Sequence, residues 1–290
     1  MRVLVTGSSG HVGGAVAAHL ASLDHDVVGL GRAGGAAEGV TETVAADLGD
    51  PAVWGALDEL VPAVDAVVHA AACLDHAPGA GAVVRVNCGG TQAVAELAVV
   101  RQVPLVYISG VPVIGTPRVL PVTEDHPTAP ETTYHASKLF GEHLVAGTGR
   151  RGVPASSLRL TSPVGPGIPG GRILSVFAEQ AARGEPLHVA GRGTRRQDYV
   201  DVRDAAVAVA AALDGGARGV FNVAAGSSVS NEGLAHRCVR LAGSPSEVVV
   251  GETPDPLDDV AWEVSIARAG AELGWMPQRT LDDAIRAALA

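Results

Sequence analysis

Short β-branched runs alternate along the chain with Ala-rich stretches whose apolar positions recur at helical spacing. Val3–Val5, Val27–Leu30, Val64–His69 and Val103–Ser109 read as strands, and 11–23, 51–61, 87–101 and 134–147 read as helices. Strand followed by helix, repeated, is the pattern of βαβ units and a parallel sheet. Pro and Gly crowd PVGPGIPGG at 163–171, which marks a crossing between lobes. Beyond it lie a helix near 173–183, an apolar strand near Val220–Val223 and a last helix near 281–289. The expected fold is α/β: a doubly wound parallel sheet built mainly from 1–166. A smaller C-terminal α/β lobe comes mainly from 167–290 and is interleaved with the first.

The first apolar run stops at Thr6, and Gly7, Gly10 and Gly13 follow at intervals of three before an amphipathic helix. A helix N-terminus has free N–H groups and a positive dipole end, so it attracts an anion. Glycine lets the chain turn tightly and lets a diphosphate approach the backbone. A tight strand-to-helix turn would need glycine too. Its place, after a first strand and before a helix, favours the pyrophosphate of a dinucleotide.

Composition narrows the function classes. A chain of 290 residues with 47% hydrophobic content buries a sizeable core. Aromatics are only 3%, so that core is Ala, Val and Leu. A net charge of −10 argues against nucleic acid and anionic membrane as partners, but leaves room for a small anionic ligand at a local site. Cys73, Cys88 and Cys238 form no CxxC pair, as expected in a reducing cytoplasm. Met1 leads directly into a strand with no leader, and apolar runs such as 205–213 are too short to span a bilayer. Ten scattered histidines show no metal-binding spacing, so no metal is expected. His69 is expected to pack at a strand end and His135 to face solvent.

TGSSGHVG at 6–13, AADL at 45–48, HAAA at 69–72, VNCGGTQAVAELA at 86–98 and YHASK at 134–138 occur in an order that resembles the extended short-chain dehydrogenase/reductase superfamily. RLTSPVGPG at 159–167, GRGTRRQDYVDVRDAA at 191–206, FNVAAGSSVSNEGLA at 221–235 and ARAGAELGWMP at 267–277 extend the resemblance to its NAD(P)-dependent nucleotide-sugar epimerase/dehydratase group. The resemblance implies a Rossmann lobe and a cofactor, NADP or NAD, held by Gly7, Ser9, Gly10, His11 and Val12. Asp47 and Leu48 would meet the adenine, and Ala70, Ala71 and Ala72 would underlie the cofactor. Asn87, Tyr134, Lys138 and Thr161 complete the implied set. It also implies a homodimer through the helices at 87–101 and 134–147.

Tyr134 and Lys138 are four apart and project from one helix face. A nearby ammonium and a cationic nicotinamide would favour phenolate. Tyr134 would then move a proton on or off a substrate oxygen while hydride moves to or from the cofactor, and Lys138 would hold the nicotinamide ribose. The family places a third hydroxyl at the end of the preceding strand. Here YISGVPVIG puts Gly110 at that position, with Ser109 one residue earlier as the substitute and Thr133 as another donor. The second strand ends in Gly31 and Arg32 rather than a carboxylate, which favours NADP over NAD. On the substrate side Ser162 and Gln197 replace an Asn and an Arg of the family pattern. Arg172, Arg195 and Arg196 are the candidates to replace that lost charge.

The expected function is therefore a nucleotide-sugar 4-epimerase, dehydratase or 4-ketoreductase. Two alternatives stay open: a reductase or dehydrogenase of a non-nucleotide carbonyl compound, and a cofactor-binding regulatory protein without turnover.

Overall fold

In a computed structural model, residues 1–34, 36–74 and 81–289 are described. The chain runs β1 (Arg2–Thr6), α1 (His11–Ser22), β2 (Asp26–Gly31), β3 (Glu42–Ala45), α2 (Pro51–Leu60) and β4 (Ala66–His69). A helical stretch follows, made of α3 (Gly81–Val83), a π-helical segment (Val84–Gly90) and α4 (Thr91–Arg101), and then β5 (Leu105–Gly110). Next come α5 (Thr133–Arg150), β6 (Ala155–Leu160), β7 (Ser162–Val164), α6 (Ile173–Arg183), β8 (Leu187–Val189), β9 (Arg196–Asp201) and α7 (Val202–Asp214). The remainder is β10 (Gly219–Val223), β11 (Ser228–Ser230), α8 (Asn231–Ala242), β12 (Val248–Val250), α9 (Ala267–Leu273) and α10 (Leu281–Leu289).

Seven strands form one parallel sheet in the order β10-β6-β5-β4-β1-β2-β3. Period-two alternation divides each strand between two cores. Val3, Val5, Val27 and Val68 face α1 and α7, where Val16, Leu20 and Val209 meet them. Leu4, Val28, Val67 and Leu105 face the other way, onto Leu57 of α2, Leu97 of α4 and Val145 of α5. After β1 the chain builds β2 and β3 to one side, then crosses to β4 on the other. That reversal opens a crevice at the C-terminal ends of β1 and β4. A second lobe packs α6, α8 and α10 around Leu174, Phe177, Leu234 and Ile285, with the strand pair β12-β8 and the three-stranded sheet β11-β9-β7.

Several strands have no signature in the hydrophobic pattern. β6 reads ASSLRL, yet all six residues are buried. β3 has a single buried residue. β9 carries Arg, Gln and two Asp. The helix read at 87–101 starts earlier and contains a π-helical segment, and the one read at 134–147 runs on to Arg150.

The glycine turn is fixed by contacts no side chain tolerates. Gly7 has φ +69°, and a Cβ there would lie 2.8 Å from Ala71 N and Cα. A Cβ on Gly13 would overlap the carbonyl oxygen of Gly7, a backbone atom that cannot yield. Gly13→Ala is therefore expected to destabilise the fold by about 1–3 kcal/mol, the usual range for overpacking. Thermal unfolding of the purified protein checks this, and an unchanged midpoint would show that the turn is not close-packed.

Candidate active site

A cleft of about 1220 Å³ opens at the crevice and runs between the two lobes. At one end it is lined by the turn after β1: Gly7, Ser9, Gly10, His11, Val12 and Gly13. Gly10 caps α1, and the first helical bond, Gly14 N–H to Gly10 O, leaves the N–H groups of His11, Val12 and Gly13 without helical partners. A Cβ on Gly10 would meet only the carbonyl oxygen of Gly7, at 3.2 Å. The three glycines thus differ in purpose: Gly7 and Gly13 permit packing, and Gly10 keeps backbone open to the cleft. Arg32, exposed at the end of β2, lines the same cleft, as do Asp47, Leu48, Ala70, Ala71 and Ala72. These residues fit a dinucleotide.

Tyr134 and Lys138 project from α5 into the middle of the cleft. Thr132 caps this helix by accepting from His135 N–H, which fixes where its first turn begins. Lys138 is buried; its Nζ donates to the carbonyl of Ile108 at 2.9 Å and lies 5.9 Å from the Tyr134 ring centre. Burial lowers its pKa to about 8, with the Glu142 carboxylate opposing that fall. Burial pushes the Tyr134 phenol up to about 12, against the smaller opposing pull of Arg172. In the protein alone, without the cationic nicotinamide that the expected lowering invokes, desolvation wins.

Three expected site residues do not reach the cleft. Ser109 turns away, and its buried Oγ donates to Glu142 at 2.6 Å, so it is not the substitute hydroxyl. Asn87 is fully buried behind the wall. Its Oδ1 accepts from Cys73 N–H at 2.7 Å, and its Nδ2 donates to Cys73 O and Ser137 Oγ, each at 3.0 Å. It braces the cleft wall at Cys73. Arg196 points to Ser228, donating to its Oγ and carbonyl. Arg195 lines the cleft in its place, with Gln197, Ser162, Thr161 and Arg172. Residues 195 and 197 share a face of an extended chain and 196 takes the other, a signal that period two alone carries. Gly110 lines the cleft as expected of that position, and His135 lines it too instead of facing solvent.

His69 is buried between Thr6 Oγ1, 2.7 Å from Nδ1, and Thr91 Oγ1, 2.9 Å from Nε2. Burial drops its pKa to about 3, so it is a neutral spacer at the end of β4. Behind the substrate end, Thr161 Oγ1 donates to Asp198 at 2.7 Å. The same carboxylate accepts from Ala225 and Ser227 N–H, joining the strand ends to the 225–227 loop. Among the described residues no group of three His, Cys, Asp or Glu is placed to hold a metal, and no helix is long and apolar enough to cross a membrane.

A model of the NAD dependent epimerase/dehydratase family matches residues 3–224. The chain belongs to this family. It is 33% identical to UDP-glucose 4-epimerase of Mycolicibacterium smegmatis, covering 98% of this chain and 96% of that one. It is 32% identical to dTDP-6-deoxy-L-talose 4-dehydrogenase (NAD(P)(+)) of Kitasatospora kifunensis, covering 98% and 93%. The structure of Thermus thermophilus UDP-glucose 4-epimerase in complex with NAD superposes with a TM-score of 0.86 at 28% identity, over 100% of this chain and 98% of that one.

For this epimerase/dehydratase family member, Gly10→Val places a branched side chain where backbone faces the cleft. Loss of NADH and NADPH binding is expected with thermal stability largely kept. Unchanged affinity in a titration would remove the turn from the cofactor site.

Proposed function

We propose that the protein interconverts an alcohol and a ketone on the sugar ring of a nucleoside-diphosphate sugar, as an epimerase, dehydratase or ketoreductase. The observation that carries this reading is the sharing of one cleft by Tyr134, Lys138, Arg172 and Arg195. Arg195 Nε is buried with no hydrogen-bond partner among the described residues, although the chain as a whole is acidic. A guanidinium held this way suits an anion, and a diphosphate supplies one. Arg172 is near enough to Tyr134 to act on its ionisation, so anion and reacting hydroxyl would lie close together.

A nicotinamide held in this cleft would supply or accept the hydride. Tyr134 carries the proton to or from the substrate oxygen, and its protonated phenol suits it to donate when a ketone is reduced. Removing that proton in the oxidative direction requires added positive charge, for which Lys138 is the resident source. The ammonium would also hold the nicotinamide ribose. No hydroxyl from the end of β5 assists, because Ser109 is bonded to Glu142 and Gly110 has no side chain. That gap favours, as a second reading, a cofactor-binding protein without turnover. NADP is favoured over NAD because Arg32 lines the cleft beside Gly31 and neither is a carboxylate.

Mass spectrometry of ligands retained through purification, followed by assays on UDP- and dTDP-sugars, tests the reading. Retained cofactor with an epimer or a dehydrated ketone as product marks a recycled hydride. Exchangeable NADPH with net reduction marks a ketoreductase. Binding without turnover on all substrates favours the second reading.

Tyr134→Phe keeps the ring and removes the proton carrier. A rate loss of about 10²–10⁴-fold with near-normal cofactor binding is expected, and full activity would exclude tyrosine-dependent chemistry. With Lys138 near 8, activity that needs its ammonium should fall as pH rises through that value. Arg32→Ala should weaken NADPH by about 1–3 kcal/mol, the range for a charge-assisted hydrogen bond, and leave NADH nearly unchanged. Equal losses measured for the two cofactors would defeat the NADP assignment.

A further inference from the structure

Behind the cleft lies a buried ion pair that the reaction scheme does not use. Glu142 sits one helical turn beyond Lys138 on α5. Arg159 reaches it from β6 with two hydrogen bonds, Nε to Oε1 at 2.9 Å and Nη2 to Oε2 at 2.8 Å, and both side chains are 5% exposed. Ser109 Oγ donates to the same carboxylate at 2.6 Å. The carboxylate therefore ties α5 to the ends of β5 and β6. The residue before Ser109 is Ile108, whose carbonyl accepts from Lys138.

A buried ion pair is weak evidence for stability, since desolvation of both charges offsets their attraction. The groups that face Lys138 leave little else to hold its proton. Tyr107, from β5, presents its ring 4.9 Å away and its phenol stays protonated. Tyr134 is likewise protonated, and His69, at the end of β4, is neutral. Ile108 offers only a carbonyl dipole. Among the described residues, Glu142 is the one anion that opposes the loss of the Lys138 proton.

We propose that Glu142 is a positioning residue whose carboxylate, fixed by Arg159 and Ser109, keeps the buried Lys138 amine charged and seated on Ile108. Its importance for turnover rests on the reading of Lys138 given above, but the charge on Lys138 is measurable without turnover.

Lys138 is the only lysine in the chain, the remaining basic residues being arginine. Protein grown with carbon-13-labelled lysine therefore gives a single side-chain Cε resonance by NMR, and its pH titration reports this one amine. The expected midpoint in the native protein is about 8. Glu142→Gln keeps an acceptor for Arg159 and removes the charge, so the midpoint should fall by at least about one pH unit, the lower end of what an adjacent opposite charge supplies. Ser109→Ala, which leaves the charge, should keep the native midpoint. If Glu142→Gln does not fold, the double variant Glu142→Met with Arg159→Met removes both charges and replaces them with apolar bulk; a smaller fall is expected, because the arginine charge that opposed the ammonium is lost as well. A folded variant without the carboxylate that titrates at the native midpoint overturns the proposal. Inactive Tyr134→Phe or Lys138→Ala protein speaks only to the catalytic reading, so the two failures are distinguishable.

Discussion

The contact between the backbone at Gly13 and the carbonyl of Gly7 is the constraint from which the cleft follows. Because neither residue has a side chain, α1 starts directly on the turn after β1, and that turn is pressed at Gly7 against Ala71 just beyond β4. That closeness aims the unpaired N–H groups of the first turn at the crevice where strand order reverses. A wider turn would leave the same helix packed on the same core but point its N-terminus elsewhere. The apolar alternation of β1 and β4 settles the sheet, and the glycines settle where the sheet can receive an anion.

Around this opening the protein places a layer of buried polar side chains outside the cleft lining. Asn87, His69, Ser109, Glu142 and Arg159 bond to one another's neighbours across helices and strand ends. Apolar packing tolerates small slips, whereas a hydrogen bond at 2.6–3.0 Å does not. Such a frame gives Tyr134 and Lys138 fixed seats at the surface of an otherwise Ala- and Val-rich interior.

This layer also explains what the sequence conceals. β1, β2 and the strand ending in His69 were legible because their environment is apolar on both faces. β6 was not, since Ser156, Ser157 and Arg159 suggest a loop until Glu142 is known to neutralise the arginine from another element. The glycine turn and the Tyr134–Lys138 pair were legible because their chemistry depends on spacing along one segment. Asn87 and Ser109 were assigned to the cleft by resemblance to the family's motifs, and only three-dimensional neighbours separate a ligand contact from a bracing bond. Arg195 and Arg196 were both candidates, and strand phase separates them: Arg195 lines the cleft while Arg196 turns to Ser228. The sequence left that choice open because β9 has no apolar alternation to set the phase.

Asp198 has a consequence of a different kind. It receives Thr161 from the end of one strand system and two backbone N–H groups from the 225–227 loop, all at the cleft floor. These bonds join the two walls at their base, which favours a slot of set width over a pair of jaws. A slot selects by shape: a ligand of the right thickness enters with little reorganisation to oppose its affinity, and one that is too thick finds no compliance in the floor.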